Sequence, residues 1–175
     1  MRLAPRTKSP ALRSEQIILF RIGGLPFAIS SASVQEVRSV DSLAGAAAEI
    51  KDSGVHKVRH VLHRAEQTLF VVNGPMHFGL PLTPGTLVFI LRQTRTAVLI
   101  DSIEKMSSMT HLQALPLAFC AEERQWYRGL TALDQTVVPV VNPLGFLTDE
   151  EIALLDMSVA RTSQDAHLAS AGELS

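Results

Sequence analysis

Residues 17–73 and 86–142 repeat one pattern 69 positions apart, without a gap, so that Phe20 falls on Phe89. The same shift sets Ala28 on Ala97, Ser33 on Ser102, Arg59 on Arg128 and Val71-Val72-Asn73 on Val140-Val141-Asn142. Apolar character follows at Ile18/Leu87, Ile22/Leu91, Ile29/Val98, Val34/Ile103, Val37/Met106 and Val61/Leu130. A period this long does not describe a solenoid, which stacks at least three shorter units. Two copies imply two similar subdomains sharing one body.

Within each copy the local signals are those of short strands. Ile17 to Ile22 is β-rich, Gly23-Gly24 can supply the positive φ of a tight turn, and Leu25 to Ile29 returns. Pro26 cannot donate to a ladder, which predicts that this strand starts on an edge. Ser33 with Glu36 fits a capping box, with Val34 and Val37 sharing one face of the turn that follows. Residues 41–56, rich in Ala, read as a loop with at most one helical turn. Val58 to Leu62 and Thr68 to Val72 are strands, and Gly79 to Gly85 is a Pro/Gly-punctuated connection. The second copy repeats the scheme with Leu87 to Leu91, Thr96 to Ile100, the turn-like segment Asp101 to Met106, Gly129 to Ala132 and Val137 to Val141. Asn73 and Asn142 end matching strands and are expected in turns. Thr148-Asp149-Glu150-Glu151 caps a helix whose apolar stripe is Ile152, Leu155 and Val159. The expected organisation is an arm over 1–14, one domain over 15–160 and a frayed polar tail over 161–175.

The 175 residues are 46% hydrophobic and 19% charged, which is a globular balance. A net charge of −1 offers no field for nucleic acid or an anionic membrane, and 5% aromatics offers little base stacking. No apolar run approaches the ~20 residues of a membrane span, and the basic start (Arg2, Arg6, Lys8, Arg13) lacks an apolar signal region. The expectation is a cytoplasmic protein without membrane insertion. No nucleophile elbow, P-loop or dinucleotide fingerprint is present. His56, His60 and His63 are the nearest approach to a metal cluster, but a strand sends His60 and His63 to opposite faces. The acidic neighbours of Cys120, Glu122 and Glu123, disfavour a reactive thiolate. Asp101 is expected to bond to backbone at a strand end. No cofactor, metal or catalytic residue is expected.

The segments Val34-Gln35-Glu36-Val37-Arg38, Ile100-Asp101-Ser102-Ile103 and Gly129-Leu130-Thr131-Ala132-Leu133, in that order, resemble the CheW-like domain. Glu150 to Asp156 is similar to the tail of enteric members. The resemblance spans about residues 16–156. It implies a mainly β fold of two pseudo-symmetric SH3-like five-stranded barrels sharing a core, plus a C-terminal helix. It also implies a non-enzymatic adaptor that couples the cytoplasmic tips of chemoreceptors to the regulatory domain of a CheA-type histidine kinase. Carried over by position, Val34 and Val37 would line one wall of a receptor groove, and Leu99 and Ile100 lie on the strand nearest the other. Glu36 matches an acidic position near the kinase contact.

One stretch departs from the family. Its Gly-Val-Ile-Asn-Leu-Arg-Gly pattern aligns with His60-Val61-Leu62-His63-Arg64-Ala65-Glu66, so the partner-binding arginine falls on Ala65 and the two glycines become His60 and Glu66. Arg64 is one residue away, on the opposite face of a strand unless a bulge re-aims it. An alternative reading follows: a diverged CheW-like module in another chemosensory system, for example pilus-linked motility, that has lost one partner. A small β-barrel enzyme using His60 or His63 is the competing class, and no convergent polar set supports it.

Overall fold

The computed structural model describes residues 13–172, so the arm expected over 1–14 lies outside it apart from Arg13 and Ser14. Eleven strands run in chain order: β1 (Glu15–Ile22), β2 (Leu25–Ser30), β3 (Val34–Ser39), β4 (Ala47–Glu49), β5 (Val58–Arg64), β6 (Gln67–Asn73), β7 (Leu87–Leu91), β8 (Thr96–Ile100), β9 (Ser102–Met109), β10 (Tyr127–Leu133) and β11 (Thr136–Val141). Three helices accompany them: α1 (Gly74–Phe78), α2 (Glu123–Trp126) and α3 (Asp149–Gly172). The 69-residue shift carries β1, β2, β3, β5 and β6 onto β7, β8, β9, β10 and β11. Asn73 caps α1 by accepting from Met76 N–H, and its counterpart Asn142 accepts from Leu144 N–H at the head of a 3₁₀ turn. Gly23 and Gly24, at φ of 57° and 77°, make the two-residue turn that joins β1 to β2.

The halves exchange strands. One sheet has the order β10-β11-β2-β1-β9 and the other β3-β7-β8-β6-β5-β4. Each therefore mixes both copies, and without β4 the two orders superpose under the shift. Even the parallel contacts correspond, since Val140 pairs with Ala28 and Val71 with Ala97. The main core fills the space between the sheets. Phe20 and Phe89, 1% and 0% exposed, meet there edge to face with ring centroids 5.1 Å apart. Two smaller cores lie on the far faces, one around Leu19, Ala28, Val138 and Val140 and the other around their counterparts Val88, Ala97, Leu69 and Val71.

Several local expectations are corrected. The segment after Ser33 is strand β3, not a capped turn, and its counterpart 101–106 lies largely in β9. In both, pairing along a neighbour outweighs the local cap. Ala47–Glu49, expected as loop, adds β4 beside β5. β2 lies inside its sheet. Pro26 is tolerated because only β1 pairs with it at that point, while β11 meets β2 further on at Ala28. α3 begins in the expected capping box, with Thr148 N–H donating to Glu151 and Glu151 N–H to Thr148 Oγ, but continues to Gly172 through the stretch expected to fray. The hydrogen-bond ladders give two open sheets, one of five strands and one of six, and do not close either into a barrel.

At the opposite end from the phenylalanine pair, the halves meet at His77 and its counterpart Phe146, with ring centroids 5.0 Å apart. Lys57 stands 3.5 Å from His77 Nδ1 and bonds Glu151 at 2.9 Å. Burial, with help from the Lys57 charge, pushes the His77 pKa down to about 3.

Truncating Phe20 to Ala should cost about 3–5 kcal/mol in denaturant unfolding. In a double-mutant cycle with Phe89→Ala the pair should couple by about 0.5–1.5 kcal/mol. His77 binds a proton in the unfolded chain below its ordinary pKa of 6.5 but not in the fold until near pH 3. Stability should therefore fall as pH drops through that window, by about 2–3 kcal/mol at pH 4.5. His77→Phe should flatten this slope, and an unchanged profile in acid denaturation would remove His77 as its source.

Candidate functional site: an apolar groove and a charged sheet mouth

The edge strands β3 and β9 carry matching bulges. Val34 pairs with Leu91 and Glu36 with Ile90, leaving Gln35 extra; Lys105 pairs with Leu19 and Ile103 with Phe20, leaving Glu104 extra. Residues three apart in a regular strand face opposite ways, and an extra residue restores them to one face. Val34 and Val37 therefore face inward with Leu91 and Phe89, and Ile103 and Met106 face inward with Phe20 and Ile18. Because Val37 and Ile103 are the register partners of the two touching phenylalanines, they flank that ring pair from opposite sheets. Val34 is buried, while Val37, Ile103 and Met106 are 40%, 37% and 62% exposed. The result is an apolar groove between two sheet edges.

Sequence reasoning placed Val34 and Val37 on one wall of a receptor groove; the structure sets both on the inward face of β3, Val34 buried and Val37 partly exposed. Leu99 and Ile100, read as nearest the other wall, are elsewhere. Ile100 is fully buried between the sheets, and Leu99 points to the far face of its sheet among Val88, Val71 and Leu62. Adjacent strand residues cannot share a face. The inward-facing apolar pair on the opposite edge strand is Ile103 and Met106, which the repeat itself paired with Val34 and Val37.

Glu36, His60, Arg64 and Leu99 share that far face. Arg64 Nη1 lies 2.7 Å from Glu36 Oε2 and Arg38 Nη1 3.0 Å from Glu36 Oε1. The hydrogen bond from Arg38, then the Arg64 charge, lowers the Glu36 pKa. β3 and β5 are four strands apart, roughly 19 Å in a flat sheet, so this sheet is strongly curled. The counterpart positions repeat the bridge with charge reversed: Lys105 Nζ is 2.6 Å from Asp134, which corresponds to Ala65. Both turn residues are left-handed, Ala65 at φ 46° and Asp134 at φ 49°. A side chain at position 65 is thus aimed where Arg64 already reaches.

His60 lies four residues from Arg64, about 13 Å along β5, at the other mouth of the curl. It lines an apolar cup of about 380 Å³ with Val40, Leu43 and Leu99. In the other sheet the same position is Met109, 5% exposed and packed in its core, whereas Val40 is 37% exposed at the rim of an open cup. His60 and His63 do fall on opposite faces, and no metal-holding cluster occurs among the described residues. Cys120 is exposed, with its N–H donating to Glu123. Asp101 accepts from Gly24 N–H at 3.1 Å and from the Thr83 hydroxyl at 2.7 Å, the backbone-holding role expected of it. No helix among the described residues is long and apolar enough to cross a membrane.

Among solved structures, the fold is similar to that of the scaffolding protein TtCheW from Thermoanaerobacter tengcongensis. The TM-score is 0.62 at 10% identity, over 74% of this chain and 90% of that one. No curated protein matches the sequence. Compared with protein families, residues 16–151 match the one described as CheW-like domain. With that match over most of its length, and with the exchanged two-sheet fold, this chain belongs to the CheW-like domain family.

Proposed function

We propose that this protein is a non-enzymatic cytoplasmic adaptor coupling chemoreceptor tips to the regulatory domain of a CheA-type histidine kinase. The observation that carries the reading is the groove of Val37, Ile103 and Met106 beside the phenylalanine pair. A receptor tip is helical, and an amphipathic helix buries its apolar stripe in such a groove. The far face of the second sheet, with its Glu36–Arg64 bridge and the cup at His60 and Leu99, is the surface we assign to the kinase domain. Each curled sheet, completed by its edge-to-edge ion pair, stands in this reading for an SH3-like barrel. The adaptor needs no cofactor.

Replacing Val37 by Asp should weaken receptor-tip binding by about 2 kcal/mol or more, because the carboxylate would be desolvated without a partner. Binding of the kinase domain should be unchanged. Full receptor affinity in a folded Val37→Asp protein would refute the groove assignment.

Ala65, where the family has its arginine, favours a second reading in which the kinase contact has been lost. Arg64 bears on this, since a guanidinium held by Glu36 still presents donors to a partner carboxylate or carbonyl. Kinase-domain affinity of three proteins separates the cases: wild type, Arg64→Ala, and Ala65→Arg with Glu66→Gly. Loss on Arg64→Ala means that Arg64 has taken over the role. No loss on Arg64→Ala, with gain in the double variant, means that the site has decayed. Equal affinity in all three would place the contact elsewhere.

A further inference from the structure

The connection after α1 packs onto the first hairpin tip. Leu80 N–H donates to the Pro75 carbonyl at 2.8 Å, and Leu80 presses so close that a Cβ on Gly23 would meet its Cβ at 2.9 Å. Thr83 is held by Asp101, which also holds Gly24. An extended Leu-Pro segment of the chain thus fills the space beside this hairpin.

The second half has the same hairpin tip at Arg92-Gln93 and the same acceptor position at Leu144, the counterpart of Pro75. Its chain does not return to fill the space. The counterpart of Leu80 is Asp149, where α3 begins and leads away. What remains is an open cleft of about 610 Å³, walled by Gln67, Gln93 and Thr94, with Leu144, Leu147 and Ile152 as its apolar side. Leu144 is 72% exposed. Among the lining residues the cation is Arg95, which is neutralised by two bonds to Asp156 at 2.8 and 2.7 Å and lies over the Phe70 ring. The acid is Asp149, and Glu150 stands exposed beside it. The rim is therefore negative.

We propose that this cleft binds an extended segment of a partner protein that presents a leucine followed by proline, with a cationic residue beside them. The leucine takes the place that Leu80 holds in the first half, its N–H donates to the Leu144 carbonyl, and the cation faces Asp149. The facing glutamine amides suit the polar groups of an extended backbone. The occupant's chemistry is read from the chain's own segment in the counterpart space and from the charge of the rim. The cleft shares no residue with the receptor groove or with the Glu36–Arg64 bridge, although its wall residue Gln67 is the register partner of Arg64, so the proposal stands whether or not those assignments do.

The test uses the full chain, ¹⁵N-labelled, titrated with the peptide acetyl-Arg-Gly-Leu-Pro-Leu-Thr-Pro, which copies the connection after α1 behind an arginine. Saturable shifts are expected at the amides of Gln93, Thr94, Leu144 and Ile152. Replacing the peptide's first leucine by alanine should weaken binding by about tenfold or more. Asp149→Asn, which leaves the Thr148–Glu151 cap in place, should weaken it by about two- to fivefold. Val37→Asp should bind the peptide like wild type. Absence of saturable shifts, or shifts centred on Val37 and Met106, would overturn the proposal. So would binding only by a chain lacking residues 1–12, which would assign the cleft to that segment instead.

Discussion

The edge-to-face contact of Phe20 with Phe89 is the point on which the rest of the molecule depends. Equivalent residues of two copies can touch only where an approximate two-fold axis passes between them. β1 and β7 meet there, and each strand's sheet is completed by strands of the other copy. Neither half therefore owns a complete sheet. The apolar surface that drives assembly is buried between the halves, so the groove beside the phenylalanines is a by-product of the contact that holds the fold together.

The symmetry is informative mainly where it fails. At the far end of the axis, Phe146 and Trp126 in one half stand opposite His77 and Lys57 in the other. A buried imidazole and an ammonium replace two rings, and Glu151 at the head of α3 neutralises the ammonium. Met109 is packed in one sheet's core, while its counterpart Val40 stands at the rim of an open cup. Leu80 fills the space beside one hairpin, while Asp149 leaves the corresponding space empty. The open cup and the open cleft are vacant places on the surface of an otherwise duplicated body, and the His77–Lys57 exchange puts polar groups where the other half has rings. Partner contacts can form at such places without disturbing the shared core.

Charge at the sheet mouths follows the same logic. Glu36–Arg64 and Lys105–Asp134 join opposite edges of their curled sheets with the signs exchanged, their first members at equivalent positions and their second members one residue apart. Exposed pairs of this kind contribute little to stability, because solvent and salt screen them. Their significance is the orientation of charged groups at a surface. Ala65, left-handed at φ 46°, and Arg64 are neighbours at this mouth, and it is Arg64 that reaches the Glu36 carboxylate.

The repeat determined much of this protein by itself. Periodic apolar residues, the Gly23-Gly24 turn, the Asn73 and Asn142 positions and the Thr148 cap are local signals, and they located most strands and the start of α3. The pairing of Val34 with Ile103 and of Val37 with Met106 was also legible in the repeat, and these are the residues that face inward on the two bulged edge strands. Tertiary structure decided what local signals do not encode. Strand exchange depends on contacts between residues far apart in sequence. The bulges at Gln35 and Glu104 arise only when an edge strand is laid against its neighbour, and they settle which side chains reach the groove. Burial of Ile100 and diversion of Leu99 to the opposite face follow from the period of two along β8. The extension of α3 to Gly172 and the pairing of β4 went unread because neither carries a strong pattern of its own. A strand's sequence specifies alternation, but which of its two faces becomes core, groove or surface is set by what packs against it.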